Sequence, residues 1–302
     1  MTMQPPSGLS SPPMCYRHPS RETHIRCIRC NKPICPDCMN AASVGFQCPD
    51  CVREGSRTVR SGQTVFGGSL SGERGTVTYV LIALNIGVYV ANLIWSAAAG
   101  ASVQQLIQIA GFGGGPDLDY LAGAANNGQF GGIDTGQFWR LLTSDFVHIG
   151  ILHLAVNMYA LFLFGRECER LLGRWRFLVL YLLTGIGGGT LVYLFQNVSS
   201  AGASASLFGL LAAMFFFFRK LKANLGGLVG MIVINLGITF FVPGISILGH
   251  LGGMASGALL GIGLAYAPRG PMRLPVQVGT MVAVAILLFV LVAGKTLASS
   301  IF

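Results

Sequence analysis

Seven stretches of the chain are apolar for long enough to approach the width of a lipid bilayer, and they constrain the fold more than any other feature. A membrane-spanning helix needs roughly 20 apolar residues. The chain of 302 residues is 52% hydrophobic and only 10% charged, which is too apolar for a soluble domain of this length. We therefore predict an all-α polytopic membrane protein. The stretches are residues 77–97, 145–165, 175–196, 203–218, 226–242, 246–266 and 276–294.

The first 76 residues differ in composition, which predicts a separate module. They are polar, rich in Pro and Ser, and contain seven of the eight cysteines. Their last part is glycine-rich and polar, as flexible linkers are. No apolar run begins the chain, so we expect the first apolar stretch to be the anchor. The predicted division is a soluble module over 1–52, a flexible linker over 53–76, a six-helix core over 77–266, and a seventh helix with the C-terminus over 267–302.

The net charge of +9 is explained by membrane topology, so we expect no nucleic-acid partner. Nine of the eleven Lys and Arg after residue 76 fall in three loops that share one side of the membrane if the spans alternate. By the positive-inside rule these loops face the cytoplasm. The N-terminus is then expected in the cytoplasm and the C-terminus outside. The absence of a recognisable organelle-targeting segment favours a bacterial plasma membrane.

The N-terminal module contains four pairs of soft metal ligands, each pair separated by two residues. Eight ligands at this spacing are enough for two tetrahedral zinc ions. The alternative, a disulfide framework, is disfavoured because the module is expected in the reducing cytoplasm. We therefore predict two structural zinc ions and no catalytic cofactor. The pairs are Cys15 with His18, Cys27 with Cys30, Cys35 with Cys38, and Cys48 with Cys51.

Four polar residues at membrane depth indicate a site for chemistry, because such groups are costly in hydrocarbon. His153 and Asn157 are four residues apart and share one helix face. Ser204 and His250 enter the membrane from the same side, to similar shallow depth. Each feature alone is also compatible with hydrogen bonds between packed helices. Together they supply a nucleophile, a general base and polar donors for acyl transfer.

The surroundings of Ser204 are small, which leaves room for a substrate backbone and for the free amides of a helix N-terminus. Ser206 lies about 200° further round the helix and cannot face the same partner. The Gly253-x-x-x-Gly257 face beside His250 predicts a neighbouring helix in backbone contact. We expect no Asp or Glu at membrane depth to orient the histidine, so the predicted arrangement is a Ser–His dyad.

Over about residues 77–266 the chain resembles the rhomboid family of intramembrane serine proteases. The resemblance implies a six-helix bundle plus a seventh helix, with Ser204 as nucleophile and His250 as base. It implies an oxyanion hole formed by His153, Asn157 and the backbone N–H of Ser204. The motifs are Phe138-Trp139-Arg140, then His148, His153 and Asn157, then Gly202-x-Ser204, and finally His250-x-x-Gly253-x-x-x-Gly257.

Two further expectations follow from resemblance. Glu167 is expected to be a structural polar anchor at the inner end of the second span. The cysteine module resembles the B-box type of zinc finger, which implies that the first ligand pair shares an ion with the third, and the second with the fourth.

The function implied by the resemblance is a serine endopeptidase that cleaves transmembrane helices near the outer membrane face. Its expected partners are single-pass or polytopic membrane-protein substrates, the lipid bilayer, and a protein partner of the zinc module. Ala205 stands where the family usually has Gly after the serine, which keeps an alternative open: a catalytically inactive rhomboid-like protein that binds transmembrane helices for trafficking or quality control. A transporter or channel is disfavoured, since no internal repeat is visible.

Overall fold

The computed structural model describes residues 12–58, 62–70, 74–99, 133, 136–195 and 201–301. The chain divides into two compact units, Met1–Gly62 and Gln63–Phe302. Most of the residues between the first two predicted stretches, 77–97 and 145–165, lie outside the described residues.

The first unit has little regular structure and a core made almost entirely of cysteine. Two short antiparallel strands, β1 (Asn40–Ala41) and β2 (Phe46–Gln47), precede helix α1 (Pro49–Thr58). The buried cluster consists of six cysteines and Ile34. Such a small apolar interior does not stabilise a fold by itself, and bound metal commonly supplies the missing free energy.

The second unit is helical throughout its described residues, apart from short connections, and this confirms the predicted all-α membrane class. Among the described residues, five helices are long and apolar enough to cross a membrane, namely those that begin at Thr76, Arg174, Ser204, Ile247 and Arg273. The helices are α2 (Thr76–Ala99), α3 (Arg140–Thr143), α4 (Ile151–Leu172), α5 (Arg174–Phe195), α6 (Ser204–Leu221), α7 (Gly226–Phe241), α8 (Ile247–Tyr266) and α9 (Arg273–Ile301).

Two predicted spans differ from a simple crossing helix. The second is broken, because the segment Arg140–Phe146 meets α4 at an angle of 95°. Helix α4 then continues past the predicted end to Leu172, where Gly173 adopts a φ of +78° and stops it. The fifth, α7, has 16 residues and is about 24 Å long, which is less than the roughly 30 Å of a hydrocarbon core.

Helices α6 and α8 are in backbone contact, as the glycine pattern predicted. A Cβ atom on Gly253 would lie 2.0 Å from the carbonyl oxygen of Ala205, and one on Gly257 would lie 2.2 Å from that of Gly209. Only glycine permits this approach. It brings the N-terminal turn of α6, where Ser204 lies, against the N-terminal turns of α8.

The segment predicted to be a flexible linker, 53–76, is structured at both ends. Its first residues belong to α1, which extends to Thr58. Further along, Phe66 is buried beside Phe217, with ring centroids 5.0 Å apart, and its carbonyl accepts a hydrogen bond from Gln277. The glycines of this segment predicted flexibility, but glycine also permits close approach between two parts of the backbone. A Cβ on Gly68 would lie 1.9 Å from the carbonyl oxygen of Leu172.

The polar anchor at the end of α4 is Glu169, and the expectation that it is Glu167 is wrong. The buried carboxylate of Glu169 accepts hydrogen bonds from the backbone N–H groups of Val77 and Thr78, at 3.0 and 2.9 Å. These groups belong to the first turn of α2, whose N–H groups have no partner within the helix. Glu167 forms a surface ion pair with Arg170 instead, at 2.6 Å.

Candidate functional site

The structure brings Ser204 and His250 into hydrogen-bond contact. Ser204 is the first residue of α6, and His250 lies in the first turns of α8, which Ser246 caps by accepting a hydrogen bond from the N–H of Gly249. The Nε2 atom of His250 is 2.9 Å from the Oγ atom of Ser204. This is the separation at which an imidazole can remove the proton of a nucleophilic hydroxyl.

The other ring nitrogen of His250 contacts Thr239 on α7, a residue that the sequence did not single out. The Thr239 Oγ1 atom is 2.7 Å from His250 Nδ1 and 2.8 Å from the carbonyl oxygen of Asn235. A hydroxyl has one hydrogen and a carbonyl can only accept. Thr239 therefore donates to Asn235 and accepts from His250, which leaves His250 Nε2 unprotonated and facing Ser204.

His153 and Asn157 lie at the same cavity as Ser204 and His250. The cavity has a volume of about 690 Å³, and all four side chains line it. The amide of Asn157 uses one N–H to bond the carbonyl of His153, at 2.8 Å; its second N–H remains as a donor, because an amide nitrogen carries two hydrogens.

Glycine is required at position 202, two residues before Ser204. Gly202 has a φ of +114°, and a Cβ atom there would lie 2.6 Å from the ring of His153. The first backbone hydrogen bond of the α6 turn runs from the N–H of Leu207 to Ala203, and no side chain caps this end. The N–H groups of Ser204, Ala205 and Ser206 precede that bond and have no partner within the helix; of these residues Ser204 lines the cavity, where its N–H can meet an anion.

Ser206 faces away from His250, as the helix geometry predicted. Its fully buried hydroxyl lies 2.5 Å from a carboxyl oxygen of Asp145 and 2.7 Å from the carbonyl oxygen of Tyr181. The expectation was that no acidic residue at membrane depth orients His250; Asp145 is buried, at 3% exposed, but its carboxyl contacts Ser206 and not His250. Residue 145 begins the predicted apolar stretch 145–165, and the bend before α4 that buries its side chain is not visible in the sequence.

The methyl group of Ala205 points toward α5. A Cβ atom on Gly188 would lie 2.5 Å from that of Ala205, so glycine in α5 provides the space that the methyl group needs. Ala205 is not among the residues that line the large cavity. The departure from the usual Gly at this position is thus accommodated by the neighbouring helix.

The first unit assembles its soft ligands into two groups of four, and in each group the ligand atoms lie within 4.8 Å of one another. Tetrahedral zinc with bonds of about 2.3 Å separates its sulfur ligands by about 3.8 Å, and the Cys30 and Cys48 sulfurs are 3.7 Å apart. The cysteines are free thiols, so the ligand sets fit a metal better than a disulfide. The groups are Cys15, His18, Cys35 and Cys38, and Cys27, Cys30, Cys48 and Cys51.

Both groups follow the interleaved order that the B-box resemblance implied. Each also contains one thiol that ionises readily. Burial raises the pKa of Cys15, but hydrogen bonds with backbone groups, that of Cys35 first, outweigh burial and lower the pKa to about 6. The same balance, with Cys48 as the first backbone partner, lowers the pKa of Cys27 to about 6. The thiolate is the form that binds metal.

Comparison with known proteins places the helical unit in a family. The Rhomboid domain profile matches residues 135–267, a range that contains all four cavity residues named above. The chain is 34% identical over 227 residues to Rhomboid protease GluP of Bacillus subtilis (strain 168), which covers 72% of this chain and 39% of that protein. It is 37% identical over 139 residues to RHOMBOID-like protein 4 of Arabidopsis thaliana, covering 43% of this chain and 35% of that protein.

A third relative is the protein named Putative rhomboid protease YdcA, of Bacillus subtilis (strain 168). The identity is 32% over 136 residues, covering 43% of this chain and 68% of YdcA. The chain thus spans less than half of the first two relatives and about two thirds of the third. Identity at this level over most of YdcA, together with the profile match, shows the family. The chain belongs to the rhomboid family.

Proposed function

We propose that the chain is an intramembrane serine endopeptidase that cleaves transmembrane helices of membrane-protein substrates near the outer membrane face. One observation carries this proposal: the contact of 2.9 Å between Ser204 Oγ and His250 Nε2. The hydrogen bond between His250 and Thr239 supports it, because that bond leaves Nε2 as the acceptor. Membership of a family that includes proteins named as proteases is consistent with the assignment.

The chemistry is acyl transfer by a Ser–His dyad. The hydroxyl oxygen of Ser204 attacks the substrate carbonyl carbon while its proton moves to His250 Nε2. The tetrahedral intermediate collapses when His250 gives that proton to the leaving amine, which frees one half of the substrate. Water then attacks the acyl-serine with His250 again as base, and the second half is released.

The developing oxyanion is stabilised by donors around the same cavity. We assign this role to the side chains of His153 and Asn157 together with the backbone N–H of Ser204. Their common position on the cavity wall and the uncapped start of α6 support the assignment. Loss of one such donor typically lowers kcat by about 100- to 1000-fold, so Asn157→Ala is expected to lose activity in that range.

Substrates are proposed to be transmembrane helices that unwind locally. A helical peptide bond is shielded by its own hydrogen bonds and side chains, so Gly or other weak helix formers near the cleavage site ease access. The cavity suits an apolar segment, since its wall includes Leu152, Val156, Phe208 and Ile238 beside the polar residues.

The proposed orientation places the active site outside and the metal-binding unit in the cytoplasm. The segment before α2 lies beside the basic loops, because a Cβ on Gly67 would lie 2.7 Å from the Arg273 side chain and Gly68 lies against Leu172. By the positive-inside rule this basic end is cytoplasmic. We propose two zinc ions in the first unit, where they would stabilise the fold and take no part in peptide hydrolysis, and a bacterial plasma membrane as the location.

The test is cleavage of a reporter transmembrane substrate by the full chain in proteoliposomes. The unsubstituted chain is expected to cleave the reporter and to be labelled by a fluorophosphonate, whereas Ser204→Ala and His250→Ala are expected to do neither. Ser256→Ala is the matched control, because the Ser256 hydroxyl bonds, among the described residues, only carbonyls of its own helix. Cleavage by Ser204→Ala would overturn the assignment.

The inactive alternative rested on Ala205. Because its methyl group packs toward Gly188 rather than into the cavity, this feature no longer favours a binding-only role. An unsubstituted chain that binds the reporter helix without cleaving it or reacting with the fluorophosphonate would revive that alternative.

A further inference from the structure

Asp145 carries a buried carboxyl group that the proposed mechanism does not use. It lies in a 3-10 turn, Ser144–Phe146, just before the sharp bend into α4. Space for it is provided by α5, where a Cβ on Gly185 would lie 1.7 Å from the Asp145 Oδ2 atom. None of the ion pairs among the described residues includes Asp145. An ionised carboxylate buried without a cation is costly.

The hydrogen bonds around Asp145 determine its protonation state. Three oxygens lie in a row: the carbonyl of Tyr181, the hydroxyl of Ser206 at 2.7 Å, and the carboxyl of Asp145 a further 2.5 Å away. The carbonyl can only accept, and the hydroxyl has one hydrogen to donate. If Ser206 donates to Tyr181, the second short contact needs a hydrogen from Asp145. Both contacts are satisfied only when the carboxyl is protonated and acts as the donor.

The same turn holds the chain on both sides of Ser204. The carbonyl oxygen of Ser144 accepts a hydrogen bond from the N–H of Gly202 at 2.9 Å, and Asp145 contacts Ser206. Two adjacent residues of the turn therefore fix the residues two before and two after Ser204. No side chain caps the start of α6, so these bonds, together with the contact between His250 and Ser204, hold its first turn in place.

We infer that Asp145 is a neutral carboxylic acid that positions Ser204 through Ser206. Asp145 is a positioning residue, because it contacts neither the cavity nor the dyad. This inference about the rate rests on the proposed protease function, because the role of Asp145 is to hold the Ser204 hydroxyl at bonding distance from His250. Displacement of a reacting group by about 1 Å can lower a rate about 100-fold, so a loosened first turn affects kcat far more than substrate binding.

The decisive variants are Asp145→Asn and Asp145→Ala in the full chain. The amide of asparagine has the shape of the carboxylic acid and can donate its N–H to Ser206, so Asp145→Asn is expected to retain activity within about threefold of the unsubstituted chain. Asp145→Ala is expected to lower kcat and the rate of fluorophosphonate labelling by about 10- to 100-fold, with KM nearly unchanged. A fall with Asp145→Asn as large as that with Asp145→Ala would overturn the inference.

Ser206→Ala completes a double-mutant cycle. Because Asp145 acts through Ser206, Ser206→Ala is expected to produce a similar loss, and the double variant Asp145→Ala with Ser206→Ala to be no slower than either single variant. Losses that multiply in the double variant, or full activity in Asp145→Ala, would refute the coupling.

A measurement without catalysis separates this inference from the proposed function. Infrared spectroscopy of the purified chain at neutral pH is expected to show the carbonyl stretch of a buried carboxylic acid, and this band is expected to disappear in Asp145→Asn. A difference spectrum that shows loss of a carboxylate band instead would overturn the neutral acid. An inactive unsubstituted chain that keeps the acid band would refute the protease proposal and leave the protonated pair established.

Discussion

The Nδ1 atom of His250 lies 2.7 Å from the hydroxyl of Thr239, on the neighbouring helix α7. Because Thr239 donates its hydroxyl hydrogen to the carbonyl of Asn235, it accepts a hydrogen bond from His250 and holds the ring in a single tautomer. In a triad an acidic residue performs this orienting role. Here a neutral hydroxyl does so, and it adds no charge to the interior of the helical unit.

Thr239→Val is expected to slow peptide hydrolysis. The valine leaves the Nδ1–H of His250 without its acceptor, and an unmet buried donor costs about 1–3 kcal/mol, which corresponds to a fall in kcat of about 5- to 150-fold. The measurement is reporter cleavage together with the rate of fluorophosphonate labelling. Thr239→Ser keeps the hydroxyl and is expected to recover most of the rate.

Thr190→Val is the matched control for this experiment. Thr190 is also buried, and its hydroxyl donates to a carbonyl of its own helix, Ile186, at 2.8 Å. The loss of a hydroxyl from a helix is thus common to both variants, and only Thr239 contacts His250. Equal losses in Thr190→Val and Thr239→Val would contradict an orienting role for Thr239.

The sequence contained enough to find the four residues around the cavity but not the partners that support them. Ser204, His250, His153 and Asn157 stood out because their polarity is unusual in apolar stretches. Thr239 did not, since threonine within a membrane helix commonly bonds its own backbone. Its contact with His250 depends on how α7 packs against α8, which no local pattern encodes.

The second limit of the sequence was the bend before α4. A continuous apolar stretch over 145–165 predicted a straight span, whereas the chain turns by 95° between Phe146 and Ile151. That bend carries Asp145 into the interior of the helical unit. The expectation for Glu167 failed for a related reason, because only the packing against α2 decides which carboxylate of this segment is buried.

Glu169 is expected to stabilise the helical unit. Glu169→Ala removes the acceptor for two backbone N–H groups of α2 and for the Thr78 hydroxyl, and hydrogen bonds to a charged group contribute about 1.5–3 kcal/mol each. We expect a clearly lower unfolding temperature in detergent, measured by intrinsic fluorescence. Glu167→Ala loses a surface ion pair with Arg170 and is expected to change the unfolding temperature little. Equal changes of the unfolding temperature in the two variants would contradict the assignment of Glu169 as the anchor.

The two metal sites are expected to differ in how readily they lose their ion. Cys30 is the exposed member of its group, whereas the cysteines of the other group are buried. A chelator reaches an exposed thiolate first, so a chromogenic chelator added to the full chain is expected to remove one zinc ion quickly and the second slowly. Metal content measured by mass spectrometry gives the starting stoichiometry.

Paired serine substitutions identify which ion leaves first. Cys27→Ser with Cys30→Ser is expected to abolish the fast phase, and Cys35→Ser with Cys38→Ser the slow phase, because the ligands are interleaved along the chain. The second and third ligand pairs are the nearest in sequence. If these two pairs shared an ion instead, the substitution at Cys35 and Cys38 would disturb the site that contains Cys30. A single release rate for both ions would contradict the difference in exposure.

Contact between α6 and α8 is expected to fail when Gly257 acquires a side chain. In Gly257→Ala the new methyl group would meet the backbone of Gly209 at 2.2 Å, and overpacking of this kind costs about 1–3 kcal/mol. The same change in Gly279 of α9 meets no atom within 4 Å and improves helix propensity by about 1 kcal/mol. The unfolding temperature in detergent should therefore fall for Gly257→Ala and stay level or rise for Gly279→Ala.

The contact between α6 and α8 also sets the distance between Ser204 and His250. Gly257→Ala is therefore expected to lose fluorophosphonate labelling at temperatures where the variant is still folded. Normal labelling would show that the dyad does not depend on the glycine contact.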